Sequence, residues 1–153
     1  MIIFDVLKDL DNKNVDMYVD MDGVIADYEV GVPARYDQKR PLVSILSKLE
    51  EISKMPNVKL HILSVTRMSE GIEQKNKWLD EFAPFFKRVN RNILSREQYN
   101  FEKNAIDLKY EFITSLEQKD SQIIFIDDDP SILRRIDENC EDILLLKETT
   151  LID

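Results

Sequence analysis

The sequence is short of cysteine, histidine and glycine, and each shortage excludes a class of structure. Its one cysteine, Cys140, cannot form an internal disulfide, which is consistent with a reducing cytosol. The chain also has only one histidine, His61. One histidine and one cysteine are too few of the usual zinc ligands, which argues against a zinc site. Three glycines leave little room for flexible hinges. The chain length of 153 residues fits a single domain spanning residues 1–153.

Long hydrophobic runs are also missing. No apolar stretch approaches the length needed to span a bilayer. The opening stretch lacks a basic lead, and charges at Asp5, Lys8 and Asp9 break its apolar run, unlike a secretory signal. We therefore expect a cytoplasmic protein with no membrane partner. The formal net charge of −9 repels nucleic acid, which argues against a plain DNA- or RNA-binding module but not against an enzyme acting on one phosphorylated end.

Strand-like and helix-like segments alternate along the chain. This alternation predicts an α/β fold, with a Rossmann-like parallel sheet of about five strands flanked by helices. Residues 2–10 fit a helix or a strand equally well. The predicted strands are 15–19, 58–63, 88–94, 123–126 and 143–146. The predicted helices are 41–53 with Pro41 in its first turn, 69–82 with Ser69 as N-cap, 105–116, and one that begins at Pro130 behind an Asp129 cap.

Acidic residues follow two of these strands. Asp20-Met21-Asp22-Gly23 comes directly after the first strand, and Asp127-Asp128-Asp129 comes after the apolar strand Ile123-Ile124-Phe125-Ile126. Residues just past the carboxyl ends of neighbouring parallel strands converge in one crevice. We therefore expect up to five carboxylates around one site.

A hydroxyl and an ammonium are expected at the same crevice. Ser64 follows the second predicted strand, and Lys103 and Lys109 lie near the helix that precedes the strand 123–126. Crowded carboxylates repel one another and stay ionised only if a cation shares their site. Ligands that are all oxygen atoms favour a hard ion, and Mg²⁺ is the natural choice.

These residue types suit phosphoryl transfer. An aspartate can attack phosphorus and form an aspartyl-phosphate. A second carboxyl group two residues on can protonate the leaving alcohol and then activate water. A serine hydroxyl and a lysine ammonium can hold the non-bridging oxygens of the transferred group. Each of these roles has a candidate residue in the chain.

The order of these motifs resembles the haloacid dehalogenase (HAD) superfamily of phosphatases. Asp20-Met21-Asp22-Gly23-Val24 matches the first motif of that superfamily, and Ile123 to Asp128 matches a variant of its last motif. The resemblance spans roughly residues 15 to 146. It implies Asp20 as the nucleophile, Asp22 as the general acid and base, Ser64 as a phosphate ligand, and a lysine that steadies the phosphoryl group. It also implies Mg²⁺ held by Asp20, the Asp22 carbonyl and Asp127, with Asp128 nearby.

Two of these assignments have alternatives. The second motif offers Thr66 besides Ser64, which we prefer because it follows the apolar run directly. The lysine is Lys109 or Lys103, and we favour Lys109. Its surroundings resemble the lysine-bearing helix in the phosphatase half of phage polynucleotide kinase/phosphatases, and Arg67 is similar to an arginine in the second motif of that group. This likeness makes nucleotides or nucleic-acid ends the preferred substrates, although other phosphorylated small molecules stay open.

Many members of this superfamily carry a cap domain over the active site. Here the stretches after the first motif and between residues 93 and 103 are too short for one, so we expect an open site without a cap. Arg35, Lys39 and Arg40 in the first stretch form a hypothetical contact for a second substrate phosphate.

Other functions compete with phosphatase activity. Asp20 does not begin an EF-hand calcium loop, because Ile25 stands where that loop needs glycine. A response-regulator receiver domain has its acidic pair early in the chain, whereas here the pair comes late. Two rivals stay open, namely a non-catalytic HAD-like binding or scaffold module and a phosphotransferase whose acceptor is not water. His61 lies within a strand, and we interpret it as structural.

Overall fold

Five short apolar segments pair into one sheet whose strands are all parallel. The computed structural model describes residues 2–27, 36–116 and 120–152. The strands are β1 (Val15–Val19), β2 (Val58–Thr66), β3 (Arg91–Ser95), β4 (Gln122–Asp127) and β5 (Ile143–Lys147). Their order across the sheet is β3-β2-β1-β4-β5. The predicted α/β fold with a five-stranded parallel sheet is confirmed.

Six helices flank the sheet in the described residues. They are α1 (Ile2–Asp9), α2 (Val43–Ser53), α3 (Glu70–Phe82), α4 (Arg96–Tyr99), α5 (Ala105–Thr114) and α6 (Pro130–Asn139). Residues Tyr36–Gln38, Arg88–Asn90 and Glu148–Leu151 form short 3₁₀ turns. None of the described helices is long and apolar enough to cross a membrane.

The sheet buries apolar side chains on both faces, as expected for a parallel sheet covered by crossover helices. Met17 and Val19 of β1 belong to one core cluster, which includes apolar residues of α1, α2 and α3. Tyr18 points to the opposite face and joins the cluster formed with α5 and α6. Alternation along the strand therefore ties the two layers of helices to one central strand.

The strand order reverses direction between β1 and β4. β2 and β3 lie on one side of this pair and β5 lies on the other. The amide of Asp20 donates to the Ile126 carbonyl at 3.0 Å, which extends the β1–β4 pairing by one residue beyond β1. In open α/β sheets such a reversal opens a crevice at the carboxyl ends of the strands, where ligands bind. The two acidic stretches of the chain, residues 20–22 and 127–129, both lie at this crevice.

Several predicted boundaries were wrong. β2 continues to Thr66, so Ser64 lies inside the strand instead of following it. Strand β3 begins at Arg91, because residues 88–90 form a 3₁₀ turn. Helix α5 ends at Thr114 instead of residue 116. The undecided segment 2–10 is a helix from Ile2 to Asp9.

Pro41 does not occupy the first turn of α2, which begins at Val43. Residues 40–42 are held instead against residues 25–27. The Asp27 amide donates to the Arg40 carbonyl at 2.8 Å, and the Leu42 amide donates to the Ile25 carbonyl at 2.9 Å. This pairing fixes the chain before the helix and brings Tyr36 and Lys39 to the carboxyl end of the sheet. No cap domain occurs within the described residues.

Candidate active site

Three carboxylates meet at the carboxyl ends of β1 and β4. Asp20, Asp127 and Asp128 each offer an oxygen atom, and these atoms lie within 4.8 Å of one another. Asp127 is fully buried and Asp20 is 5% exposed. Strand pairing brings the first two together, because Asp20 follows β1 and Asp127 ends the neighbouring β4. The two acidic motifs of the sequence therefore converge as predicted.

Lys109 lies between two of these acids. Its Nζ is 2.8 Å from Asp127 Oδ2 and 3.1 Å from Asp20 Oδ1. It extends from α5, whose N-terminus is closed by a capping box between Asn104 and Asp107. Burial disfavours its charge, but the two carboxylates outweigh burial and raise the pKa of Lys109. Lys109 is therefore a fixed cation at this site.

Lys103, the alternative lysine, lies elsewhere. Its Nζ pairs with Glu111 Oε1 at 2.6 Å, and both side chains are largely exposed. Exposed pairs of this kind contribute little to stability. The structure thus places Lys109 beside the acids and Lys103 on the surface.

Without a cation, the ionised forms of Asp20 and Asp128 are disfavoured. Burial, reinforced by the charges of Asp127 and Asp22, raises the pKa of Asp20 to about 7, although Lys109 and Lys75 oppose the rise. Burial and the neighbouring Asp127 raise the pKa of Asp128 to about 6. A divalent cation would reverse both effects, because it favours the ionised carboxylates.

The donor set fits magnesium. Three carboxylates on adjacent loops supply hard oxygen ligands, which Mg²⁺ prefers over nitrogen or sulfur. They line a cavity of about 360 Å³. Its lining residues are Asp20, Asp22, Val65, Ala105, Lys109, Asp127, Asp128, Asp129 and Pro130. Asp20, Asp127 and Asp128 are the residues that would hold the ion, with the Asp22 carbonyl as a further ligand implied by the sequence resemblance.

Gly23 makes room for one of these acids. Its φ of +79° lies in the region that side chains disfavour, and a Cβ there would lie 2.1 Å from Asp128 Oδ2. Asp129 caps α6 as predicted, since its carboxylate accepts the Ser131 amide at 2.8 Å. The Asp129 amide in turn donates to Asp127 Oδ1 at 2.9 Å. The turn at Gly23 and the turn at Asp129 thereby fix the directions of the Asp128 and Asp127 carboxylates.

Asp22 lies between two ammonium groups. Lys39 Nζ is 2.6 Å from Asp22 Oδ1, and Lys75 Nζ is 3.3 Å from Asp22 Oδ2. Burial favours the neutral acid, but Lys75 and Lys39 outweigh burial and lower the pKa of Asp22. In the resting protein Asp22 is therefore a carboxylate.

Ser64 is buried inside β2 and bonded to Lys75. Its Oγ accepts a hydrogen bond of 2.6 Å from Lys75 Nζ, and the side chain is not among those lining the cavity. Thr66, the alternative, packs against α3, where a Cβ on Gly71 would collide with its Oγ1. Of the two candidates, Ser64 is the one linked through Lys75 to Asp22.

Sequence reasoning missed Lys75 and Tyr36. Lys75 occupies the apolar face of α3 with Trp78 and Leu79 and is 4% exposed. A lysine at a helical position where the periodicity expects an apolar residue is the signal that would have identified it. Tyr36 had no such signal. Its buried ring faces the ammonium groups of Lys39 at 4.8 Å and Lys75 at 5.3 Å.

The basic residues before α2 do not all reach the site. Lys39 binds Asp22, whereas Arg40 pairs with Asp27 at 2.8 Å on the surface. Arg35 lies outside the described residues. The contact with a second substrate phosphate stays a prediction.

His61 lies within β2 and contacts Asp16 and Tyr18 of the neighbouring β1. Its Nε2 is 2.7 Å from Asp16 Oδ1, and its ring stacks on Tyr18 with centroids 4.3 Å apart. Asp16 also accepts a hydrogen bond from Ser121. These contacts agree with the structural role expected for His61.

Comparison with known proteins gives no family assignment. No model of a known protein family matches the chain, and a search of curated proteins found no significant match. Function must therefore be inferred from the geometry of this site.

Proposed function

We propose that the chain is a Mg²⁺-dependent phosphomonoesterase of the haloacid dehalogenase type that acts through an aspartyl-phosphate intermediate. One observation carries the proposal. Asp20, Asp127 and Asp128 place carboxylate oxygens within 4.8 Å of one another, and Lys109 bridges the first two. This arrangement combines a candidate nucleophile, a hard cation site and a fixed ammonium in one crevice.

In the first step, an Asp20 oxygen attacks phosphorus and the bond to the leaving oxygen breaks. Asp22 gives its proton to the leaving alcohol. In the second step, Asp22 takes a proton from water, the resulting hydroxide attacks phosphorus, and Asp20 is released with inorganic phosphate. When bound, Mg²⁺ would neutralise charge on the carboxylates and the phosphoryl group. Lys109 keeps Asp20 in place throughout.

Asp22 must change protonation state between substrate-free and substrate-bound forms. Lys39 and Lys75 hold it as a carboxylate in the resting protein. A dianionic phosphate that enters beside Asp22 competes for these two cations and adds a like charge, and both effects raise the pKa of Asp22. With its pKa raised, Asp22 takes up a proton from solvent water, and this is the proton that the leaving alcohol receives in the first step.

The substrate class follows from the sequence resemblance alone. Nucleotides or nucleic-acid ends are preferred, and other phosphorylated small molecules are the alternative. Within the described residues no further domain covers the site. A large leaving group therefore has space there.

Hydrolysis of p-nitrophenyl phosphate tests the proposal. Wild-type protein should release phosphate with Mg²⁺ and not with excess EDTA, and Asp20→Asn should abolish the release. Asp80→Asn, which changes an exposed aspartate paired with Arg88 and Arg91, is the matched control and should keep full activity. Activity that persists in Asp20→Asn would exclude Asp20 as the nucleophile.

A panel of nucleotides, sugar phosphates and phosphorylated oligonucleotides then identifies the substrate. No phosphate release from any member would favour a non-catalytic binding module. Transfer of the phosphoryl group to an added alcohol, with little free phosphate, would identify a phosphotransferase.

A further inference from the structure

Lys75 is a buried ammonium group that the mechanism above uses only indirectly. Its Nζ donates to Ser64 Oγ at 2.6 Å and to the Val65 carbonyl at 3.0 Å, and it lies 3.3 Å from Asp22 Oδ2. Burying a charge costs several kcal/mol unless close partners compensate. An apolar residue, like its neighbours Trp78 and Leu79, would satisfy the packing of α3 at lower cost.

The charge of Asp22 alone does not explain this lysine. Asp22 already has Lys39 at 2.6 Å, which is closer than Lys75 at 3.3 Å. The shortest contact of Lys75 is with the neutral hydroxyl of Ser64. A role that acts through that hydroxyl accounts for the lysine.

The direction of this hydrogen bond is fixed by chemistry. Burial lowers the pKa of Lys75, and the charges of Asp22 and Asp20 oppose this fall. As an ammonium group, Lys75 has three donors and no acceptor, so it donates to Ser64 Oγ and Ser64 accepts. A serine hydroxyl has a single hydrogen, and that hydrogen remains available for a second bond. Among the described residues no acceptor receives it. Lys75 thus restricts the direction in which the Ser64 hydroxyl can donate.

We propose that Lys75 is a positioning residue that fixes the Ser64 hydroxyl as a hydrogen-bond donor to a non-bridging oxygen of the transferring phosphoryl group. This inference rests on the proposed function. Lys109 and Lys75 then divide two tasks between them. Lys109 holds Asp20 and Asp127 on the nucleophile side, and Lys75 orients Ser64 and Asp22 on the other side of the site.

A double-mutant cycle on Mg²⁺-dependent p-nitrophenyl phosphate hydrolysis tests this role. Loss of one preorganised donor lowers kcat by roughly 10²-fold, so we expect that loss for Ser64→Ala. Lys75→Met should lower kcat to a similar degree with a smaller change in KM. The double variant should be no worse than the poorer single variant, because both changes remove the same donor. Lys77→Met, which changes an exposed lysine on the same helix, is the matched control and should leave kcat unchanged.

Folding is checked by urea unfolding of each variant, and Lys75→Gln replaces Lys75→Met if the latter is not folded. Losses that multiply in the double variant would overturn the inference, as would full activity in Ser64→Ala. An inactive wild-type protein would overturn the proposed function and this inference with it. An active wild-type protein with multiplicative losses would overturn this inference alone.

Discussion

The carboxylate of Asp128 occupies the space in which any other residue at position 23 would place its side chain. A Cβ on Gly23 would lie 2.1 Å from Asp128 Oδ2, and the backbone there has a φ of +79°. Two independent causes therefore require glycine at this turn. One is the left-handed backbone and the other is the space taken by a candidate metal ligand.

Gly23→Ala should weaken magnesium binding. The left-handed backbone costs a non-glycine residue about 1–2 kcal/mol, and the displaced Asp128 carboxylate loses its place beside Asp20 and Asp127. Isothermal titration calorimetry with MgCl₂ should show a higher Kd than in the wild-type protein. Gly71→Ala is the control, because the atoms that its Cβ would meet belong to Thr66 and not to a carboxylate. It should lower stability and leave the Kd for Mg²⁺ unchanged; equal Kd values in Gly23→Ala and the wild type would contradict the prediction.

In the absence of a bound cation, the stability of the protein should fall as the pH rises. Asp20 and Asp128 have folded-state pKa values of about 7 and about 6, above their ordinary value of 3.8. Between pH 4 and 7 these two carboxyl groups therefore bind more protons in the folded protein than in the unfolded chain, and their contribution to the free energy of unfolding decreases as the pH rises. Urea unfolding in EDTA should give a lower free energy at pH 8 than at pH 5.

Magnesium should oppose this decrease, because the cation binds the ionised carboxylates and not their protonated forms. The stabilisation by Mg²⁺ should therefore be larger at pH 8 than at pH 5. Asp20→Asn, which cannot ionise, should show a flatter profile in EDTA. An unchanged profile in that variant would mean that another group causes the pH dependence.

Lys109→Met should destabilise the metal-free protein strongly. The change leaves Asp20 and Asp127 buried without their shared cation, and removing one partner of a buried pair costs about 3–5 kcal/mol. Lys103→Met removes an exposed lysine from the same part of the chain, and an exposed pair contributes about 0–1 kcal/mol. Urea unfolding at pH 7.5 in EDTA should separate the two variants clearly. Comparable losses in both would contradict the fixed-cation role of Lys109.

The fold was predictable because its signals are local and repeated. The apolar run 123–126 and the acids that follow it identified an inner strand and the end of the sheet where the candidate site lies. Helix ends were less predictable. Asn104 and Ser69 both have N-cap chemistry, yet only Asn104 forms the side-chain bond, since Ser69 adopts a helical backbone and its Oγ lies 3.3 Å from Ser95 Oγ.

The acidic half of the site was also predictable, because strand ends dictate where Asp20 and Asp127 lie. The cationic half was less so. Lys75 comes from the middle of a helix, and its contact with Ser64 depends on how α3 packs across β2. The position of Tyr36 depends on the pairing of residues 40–42 with residues 25–27. No motif in the chain encodes either arrangement, since both arise from tertiary packing.

The crevice at the reversal of strand order between β1 and β4 has a rigid part and a variable part. The acids are anchored to the two middle strands, the region of such a sheet that exchanges its amide hydrogens most slowly. Lys39 and Lys75 come from a connecting segment and an outer helix. Evolution or design can therefore retune charge and selectivity by altering peripheral segments, while the carboxylate frame stays in place.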